Sequence, residues 1–260
     1  MSSRTSSVLW SATLGVILAL VMTAAATVNA EVSEQFHRTV PLGADGRVSL
    51  DNINGNVEIT GWDRNEVQID AVKTARDQQR LDEARIDVDV SGSSVRIKTH
   101  YPENHTNNNP ASVFYQLHVP RNVRLDEINL VNGSLDVQKV GGEISAKLVN
   151  GKLRAHDLAG RADLSTVNGS IEANYASLSD VHNVKLSSVN GSIELMLPPS
   201  SNAHVEASTV SGGIHTDFPL QVKGGFVGHS IDGDLGNGGP EIELSNVNGS
   251  IHIAPGKAGL

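Results

Sequence analysis

The chain contains no cysteine. No disulfide can staple it, and no lipidated cysteine can follow an export signal, so stability has to come from burial and backbone pairing. Aromatic residues are only 3% of the 260 positions, and Tyr175 is the sole one between Leu130 and Ser200. Nucleic-acid grooves stack bases on aromatic rings, and sugar sites commonly use the same flat faces; that stretch offers neither platform. Basic residues are outnumbered by acidic ones, 20 to 29, which argues against a phosphate backbone as partner. Long hydrophobic runs are missing too, apart from one at about Val8 to Met22. It lies in Met1–Ala30, where Arg4 is the only charge and Val28-Asn29-Ala30 closes the segment. This is the pattern of a secretory signal, with cleavage expected before Glu31. Its core is short for a membrane span of ~20 apolar residues, which sets aside the alternative of an uncleaved anchor. The mature chain Glu31–Leu260 then carries 19 basic and 29 acidic residues, a net charge of −10. It has no second stretch suited to membrane insertion, and a periplasmic, cell-surface or extracellular location follows.

What the chain does have is repetition. Leu130–Asn174 divides into five blocks of nine: LVNGSLDVQ, KVGGEISAK, LVNGKLRAH, DLAGRADLS and TVNGSIEAN. Position four is always glycine, position two is Val or Leu, positions six and eight are apolar, and positions five and seven are polar. The alternation at five to eight is that of a strand with one buried face. The glycine permits the positive φ of a tight turn. Alternate blocks place asparagine before it, so the full unit is eighteen residues: two strands and two kinds of corner.

The expected structural turn positions are Asn132-Gly133, Asn150-Gly151, Asn168-Gly169, Asn190-Gly191 and Asn248-Gly249, with an early copy at Asn54-Gly55 and a degenerate one at Ser211-Gly212. Spacings from Asn132 onward are 18, 18, 22, 21 and 37. The last is close to two units, which predicts a disguised corner around Gly228–Gly233. Asn-Gly turns also mark antiparallel hairpins. A meander would leave one apolar face uncovered, however, and no amphipathic helix follows to cover it. The expected fold is therefore all-β, a parallel β-helix-like solenoid of roughly 18–22-residue coils with stacked asparagine corners. Residues 126–260 form the repeats. Residues 31–125 form an N-terminal β region, continuous with the repeats or capping them. Strands are predicted at Arg47–Trp62, Glu66–Thr74, Ile86–Val90, Ser94–Lys98 and Ser112–Val119, with a short helix within Arg76–Arg85 bearing Leu81 and Ala84. Pro198-Pro199 belongs at an edge or corner.

Catalytic chemistry is sparse. Ten histidines are scattered with no pair at metal-ligand spacing on a shared element, and His100 and His105 read as solvated loop residues. Gly228-His229-Ser230-Ile231-Asp232-Gly233 misses the nucleophile-elbow spacing. Asp232-Gly233-Asp234 with Asn237 lacks the glutamate of a calcium loop, leaving at most a weak surface cation site near Asp232. Four of five glycosylation sequons are the repeat corner itself, and the fifth is Asn104-His105-Thr106. Asp87 and Asp89 share a strand face with nothing to shift either pKa. No catalytic residue, cofactor or metal site is expected.

The chain resembles the bacterial putative-adhesin domain family (domain of unknown function 4097). The resemblance spans roughly Arg47 to Ile253. It rests on the opening Asn54-Gly55-Asn56-Val57-Glu58-Ile59-Thr60-Gly61-Trp62-Asp63, on Val119-Pro120, on the Val-Asn-Gly-Ser-Ile units, and on Gly236–Leu244 leading into Val247-Asn248-Gly249-Ser250-Ile251. It implies a β-solenoid outside the inner membrane with no catalytic residues. The expected function is an exported, non-enzymatic binding or scaffold protein of the cell envelope. Its partner would be a protein or polysaccharide of the envelope or a host surface, and its solenoid ends would be open to self-association. The alternatives are a β-helical polysaccharide lyase or hydrolase, and an accessory in envelope-stress signalling.

Overall fold

The structure, a computed structural model, describes residues 31–102, 110–179, 181–224 and 228–256. The expected signal segment, His105 and the Asn104 sequon lie outside the described residues. In chain order the first strands are β1 (Val32–Pro41), β2 (Arg47–Asn54), β3 (Val57–Trp62) and β4 (Glu66–Ala75). A short helix α1 (Gln78–Glu83) follows, then β5 (Arg85–Ser91), β6 (Ser94–His100) and β7 (Ser112–Pro120). The repeats supply β8 (Arg124–Asn132), β9 (Leu135–Gln138), β10 (Ile144–Asn150), β11 (Leu153–Leu158), β12 (Ala162–Asn168), β13 (Ile171–Tyr175), β14 (Asn183–Asn190) and β15 (Ile193–Leu197). The last part contains β16 (Ala203–Ser211), β17 (Ile214–Thr216), β18 (Lys223–Gly224), β19 (His229–Leu235), β20 (Glu241–Asn248) and β21 (Ile251–Pro255).

Two large, mostly parallel sheets result, one of ten strands and one of eleven. Through the repeats, successive strands alternate between them: β8, β10, β12 and β14 in the larger sheet, β9, β11, β13 and β15 in the smaller. Neighbours within each sheet run parallel, as in Leu164 beside Leu186 and Leu153 beside Ile171. An antiparallel meander is thereby excluded. One unit contributes one strand to each sheet, so the molecule is a stack of two-strand layers with the inner faces opposed. Positions six and eight of all five blocks are buried in one continuous core. Each fully buried Val, Leu or Ile contributes about 1.5–3 kcal/mol. The alanines at position eight, Ala146, Ala155 and Ala173, let the sheets approach closely.

Layer order departs from chain order at both ends. Reading across the sheets, the layers are β6/β7, β2/β3, β8/β9, β10/β11, β12/β13, β14/β15, β20/β21 and β16/β17. The last repeat is inserted between its predecessors. The disguised corner expected around Gly228–Gly233 is not there: that segment is largely β19, which runs antiparallel to β16 with Gly233 beside Val205. The 37-residue spacing reflects the β18–β19 excursion. At the other end, β4 and β1 continue the smaller sheet antiparallel to β7, and β5 pairs antiparallel to β6.

The helix is capped by Asp77, whose carboxylate accepts the Arg80 amide at 2.9 Å. Leu81 and Ala84 bury against Ala75 and Ala111. The buried Lys73 ammonium donates to the carbonyls of Leu81 and Ala84 and ion-pairs with Glu34 at 3.0 Å. Strand β1 has no counterpart among the predicted strands. It is a sheet edge with mostly exposed side chains, so its sequence shows little alternation.

Candidate binding face

The asparagines of the repeat close the strands of the larger sheet. Asn54, Asn132, Asn150, Asn168, Asn190 and Asn248 are the last residues of β2, β8, β10, β12, β14 and β20, and the chain bends at the glycine that follows each. They stand opposite one another in register. Their side chains form one unbroken ladder. Each Nδ2 donates to the Oδ1 of the preceding layer: Asn132 to Asn54 at 3.0 Å, then Asn150 to Asn132, Asn168 to Asn150, Asn190 to Asn168 and Asn248 to Asn190, all at 2.9 Å.

Glycine is required next to asparagine because the layers touch there. A Cβ on Gly133 would land on the carbonyl oxygen of Gly55, one on Gly151 on that of Gly133, and one on Gly169, Gly191 and Gly249 on the glycine carbonyl of the adjacent layer each time. Positive φ is a secondary reason. Gly55 has φ 115°, but Gly133 and Gly169 are not in that region. Beneath the bend, Ser188, Thr209 and Asn246 donate to the carbonyls of Gly169, Gly249 and Gly191.

The residue before each asparagine faces outward. Ile53, Val131, Val149, Val167, Val189, Val247 and Val210 are between 39% and 55% exposed and lie one per layer along the same column. Position two therefore splits into two environments, since Val140 and Leu158 in the alternate blocks are buried. The cause is a backbone switch. In β10, Ile144, Ala146 and Leu148 point inward, so simple alternation sends Val149 out. In the alternate blocks Lys139 and Asp157 take φ of 57° and 55°, which shifts the phase by one residue and turns the next side chain inward.

Beside the aliphatic ridge runs a second outward column: Asn129, Lys147, Ser165, Ser187, Ser245 and Ser208. The two columns line a shallow groove of about 610 Å³. Of the twelve side chains formed by these six and the six valines, only Lys147 is charged, in a chain that is 19% charged. Monomeric proteins rarely leave such a contiguous apolar strip open to water, and one rimmed by polar groups marks an interaction surface.

The other sequence candidates fall elsewhere. Asp232 and Asp234 lie on β19, not in a loop; Asp234 meets His204 Nδ1 at 2.8 Å, Asp232 stands 3.7 Å from its Nε2, and the Asn237 amide donates to Asn202. His229 engages the carbonyl of Gly212 and makes no pair with Ser230. Asp87 ion-pairs with His100 at the exposed edge strand β5. Asp63, Asp70 and Glu172 are all held below the usual carboxylate range, by hydrogen bonds from Arg121, His37 and Lys152 respectively. A general acid would need the opposite shift. No helix of the described residues is long and apolar enough to cross a membrane.

Two arrangements escaped sequence reasoning. The exposed ridge was legible in principle, since alternation from Leu148 puts Val149 outside. The other is a meeting of His215, Asp217 and His252. Its signal was the matching Ile214-His215 and Ile251-His252, each one residue past a corner strand start, but nothing in the spacing makes those two layers neighbours.

Comparison with solved structures finds the same fold elsewhere. A putative cell adhesion protein from Clostridium sporogenes superposes with a TM-score of 0.54 at 14% identity, covering 86% of this chain and 100% of that one. A putative adhesin from Bacteroides fragilis gives 0.40 at 12% identity, covering 85% and 97%. A putative lipid binding protein from Parabacteroides distasonis gives 0.31 at 12%, covering 86% and 97%. Comparison with curated proteins finds no match. The sequence pattern of the Toastrack DUF4097 family matches residues 44–254, which is most of the chain, and the protein belongs to that family.

Proposed function

We propose that this protein is an exported, non-enzymatic β-solenoid with Asn-Gly corners that binds another protein of the cell envelope or of a host surface along its valine ridge. The observation that carries the reading is the nearly uncharged strip of six valines and their serine-rich neighbours, repeated layer after layer. Its chemistry selects the occupant. Aliphatic side chains with no aromatic face suit the apolar surface of a polypeptide better than a sugar ring. Its regular spacing of ~4.8 Å suits an extended or sheet-like partner. The downward-shifted carboxylates support a non-catalytic role. The adhesion descriptions of the Clostridium and Bacteroides proteins agree with this reading as analogy.

The test uses purified Glu31–Leu260 and a Val149→Asp/Val167→Asp double variant. Each is titrated onto immobilised envelope protein fractions and host matrix proteins, before and after protease treatment, and onto peptidoglycan and envelope polysaccharides. Saturable, protease-sensitive binding that falls at least tenfold in the double variant, with an unchanged melting temperature, is the expected result. Protease-resistant binding to polysaccharide alone, silence on every surface, or equal binding by the variant overturns the proposal.

A further inference from the structure

We propose that His215, Asp217 and His252 form a binding site for a divalent transition-metal ion, with zinc as the best fit, on the outer face of the smaller sheet. The site is independent of the valine ridge, which lies on the larger sheet. His215 and His252 are direct cross-strand neighbours in the parallel pair β17 and β21. Their rings sit 5.0 Å apart and are tilted by 42°. Asp217 follows two residues after His215 and so emerges on the same side. Its backbone is fixed by the amide, which donates to the Ile253 carbonyl at 3.0 Å. Its two carboxylate oxygens divide between the imidazoles: Oδ1 is 3.2 Å from His215 Nε2, and Oδ2 is 3.4 Å from His252 Nε2.

Those separations match a metal site better than a hydrogen-bonded cluster. With zinc–ligand bonds of about 2.1 Å, the edges of a tetrahedron are about 3.4 Å. The donor atoms of all three residues already lie within 4.8 Å of one another, so small rotations of the two imidazoles close the remaining edge. His252 supplies a second observation. Its Nε2 is shielded from solvent and makes no hydrogen bond, despite the facing carboxylate. A buried polar atom without a partner is costly, and a bound cation would satisfy it. Two imidazoles and one carboxylate are a donor set that binds zinc with a fourth position left open. That position faces solvent here, since the His215 side chain is 74% exposed. Occupancy would also tie β17, a three-residue edge strand, to its neighbour.

The experiment is titration of tag-free, chelator-treated Glu31–Leu260 with zinc chloride by calorimetry, with cobalt(II) as a spectroscopic stand-in. Expected are one ion per chain in the micromolar range or tighter, visible cobalt absorption of tetrahedral intensity, and a zinc-dependent rise in melting temperature. His252→Ala and His215→Ala should each weaken binding at least tenfold and remove the cobalt spectrum, while His204→Ala leaves both unchanged. Circular dichroism and the metal-free melting temperature establish that each variant is folded; for a variant that is not, Asp217→Asn serves in its place. Absence of saturable one-to-one binding below about 100 μM, or binding undiminished in the folded variants, overturns the site.

Discussion

Three consecutive residues, Val149, Asn150 and Gly151, occupy three different environments, and their separate substitution tests the layered architecture directly. Gly151→Ala should be the most damaging. The new methyl falls on the Gly133 carbonyl, which is backbone of the next layer and cannot rotate away, and φ at Gly151 is 155°. Forced overpacking costs about 1–3 kcal/mol, and a side chain held in a strained backbone region costs about 1–3 kcal/mol more. The amides on either side, Gly133 to the Asn150 carbonyl and Gly151 to the Asn168 carbonyl, both at 3.0 Å, resist separation of the layers. Asn150→Ala removes two ladder bonds, but at an exposed position where water replaces them, so the loss is about 1 kcal/mol. Val149→Ser changes an outward side chain and should stay within about 0.5 kcal/mol. Gly92→Ala is the control for backbone strain alone. Gly92 has φ 56° with nothing near its missing Cβ, and about 1 kcal/mol is expected.

At roughly 2–4 °C per kcal/mol for a domain of this size, thermal melts of Glu31–Leu260 should fall by roughly 10 °C for Gly151→Ala. About 3 °C is expected for Asn150→Ala and Gly92→Ala, and about 1 °C for Val149→Ser. A Gly151→Ala melt within 2–3 °C of the parent, or one no worse than Gly92→Ala, would refute the claim that glycine is there because adjacent layers touch.

Two further outcomes follow from the same structure. His204 hydrogen-bonds to Asp234 and stands near Asp232, which raises its pKa above the ordinary value. The fold thus favours the charged ring, and the associated stability is present below about pH 6.5 and is lost as pH rises through the elevated value. Proton NMR of the ring should give a midpoint above about 6.5 that drops in Asp234→Asn; a midpoint at or below 6.5 contradicts the pairing. Secondly, the sheet edges are short or charged, with three residues in β17, two in β18, Asp87 and Asp89 on β5, and Glu34 and Arg38 on β1. Such edges resist open-ended pairing. Sedimentation of the mature chain should show a monomer, and concentration-dependent growth of filaments would count against that account.

The inward pattern was legible because it depends on one local rule. Leu135 and Val137, or Ile171 and Ala173, alternate with polar residues, and a strand with one buried face can place them only one way. Parallel stacking was legible because a meander would have left that face uncovered. The phase switch was not, because Lys139 and Asp157 are not residue types that announce a left-handed backbone. Layer order was not legible either. Each unit carries the same in–out pattern and the same corner, so any layer can seat against any other. The sequence holds no local preference that places β20 beside β14 instead of β16. Lys185 illustrates the degeneracy: it ion-pairs with Glu243 at 2.8 Å, yet Glu206 occupies the equivalent position in β16 and offers the same charge. The metal-type cluster depended on that order, since His215 and His252 are neighbours only because the last layer is inserted.

The insertion also accounts for how the corners vary. A terminal layer needs a strand that can fold back antiparallel across its edge, as β5 does on β6 and β19 on β16. A layer taken from the regular run has no such strand next to it, because both its neighbours in sequence are committed to the stack. Units with antiparallel flanking strands therefore take the ends, and the other units fill the interior in whatever chain order results. An interior corner must satisfy neighbours on both sides: an asparagine that both donates and accepts, and a glycine overlaid by the next layer. The corner at the end has a neighbour on one side only. Val247-Asn248-Gly249-Ser250-Ile251, near the end of the chain but interior in the stack, keeps the full pattern. Val210-Ser211-Gly212-Gly213-Ile214, earlier in the chain but at the end of the stack, has lost its asparagine. Corner quality follows position in the stack and not position in the chain. That is why the ridge from Ile53 to Val210 runs unbroken through a layer contributed by the final repeat.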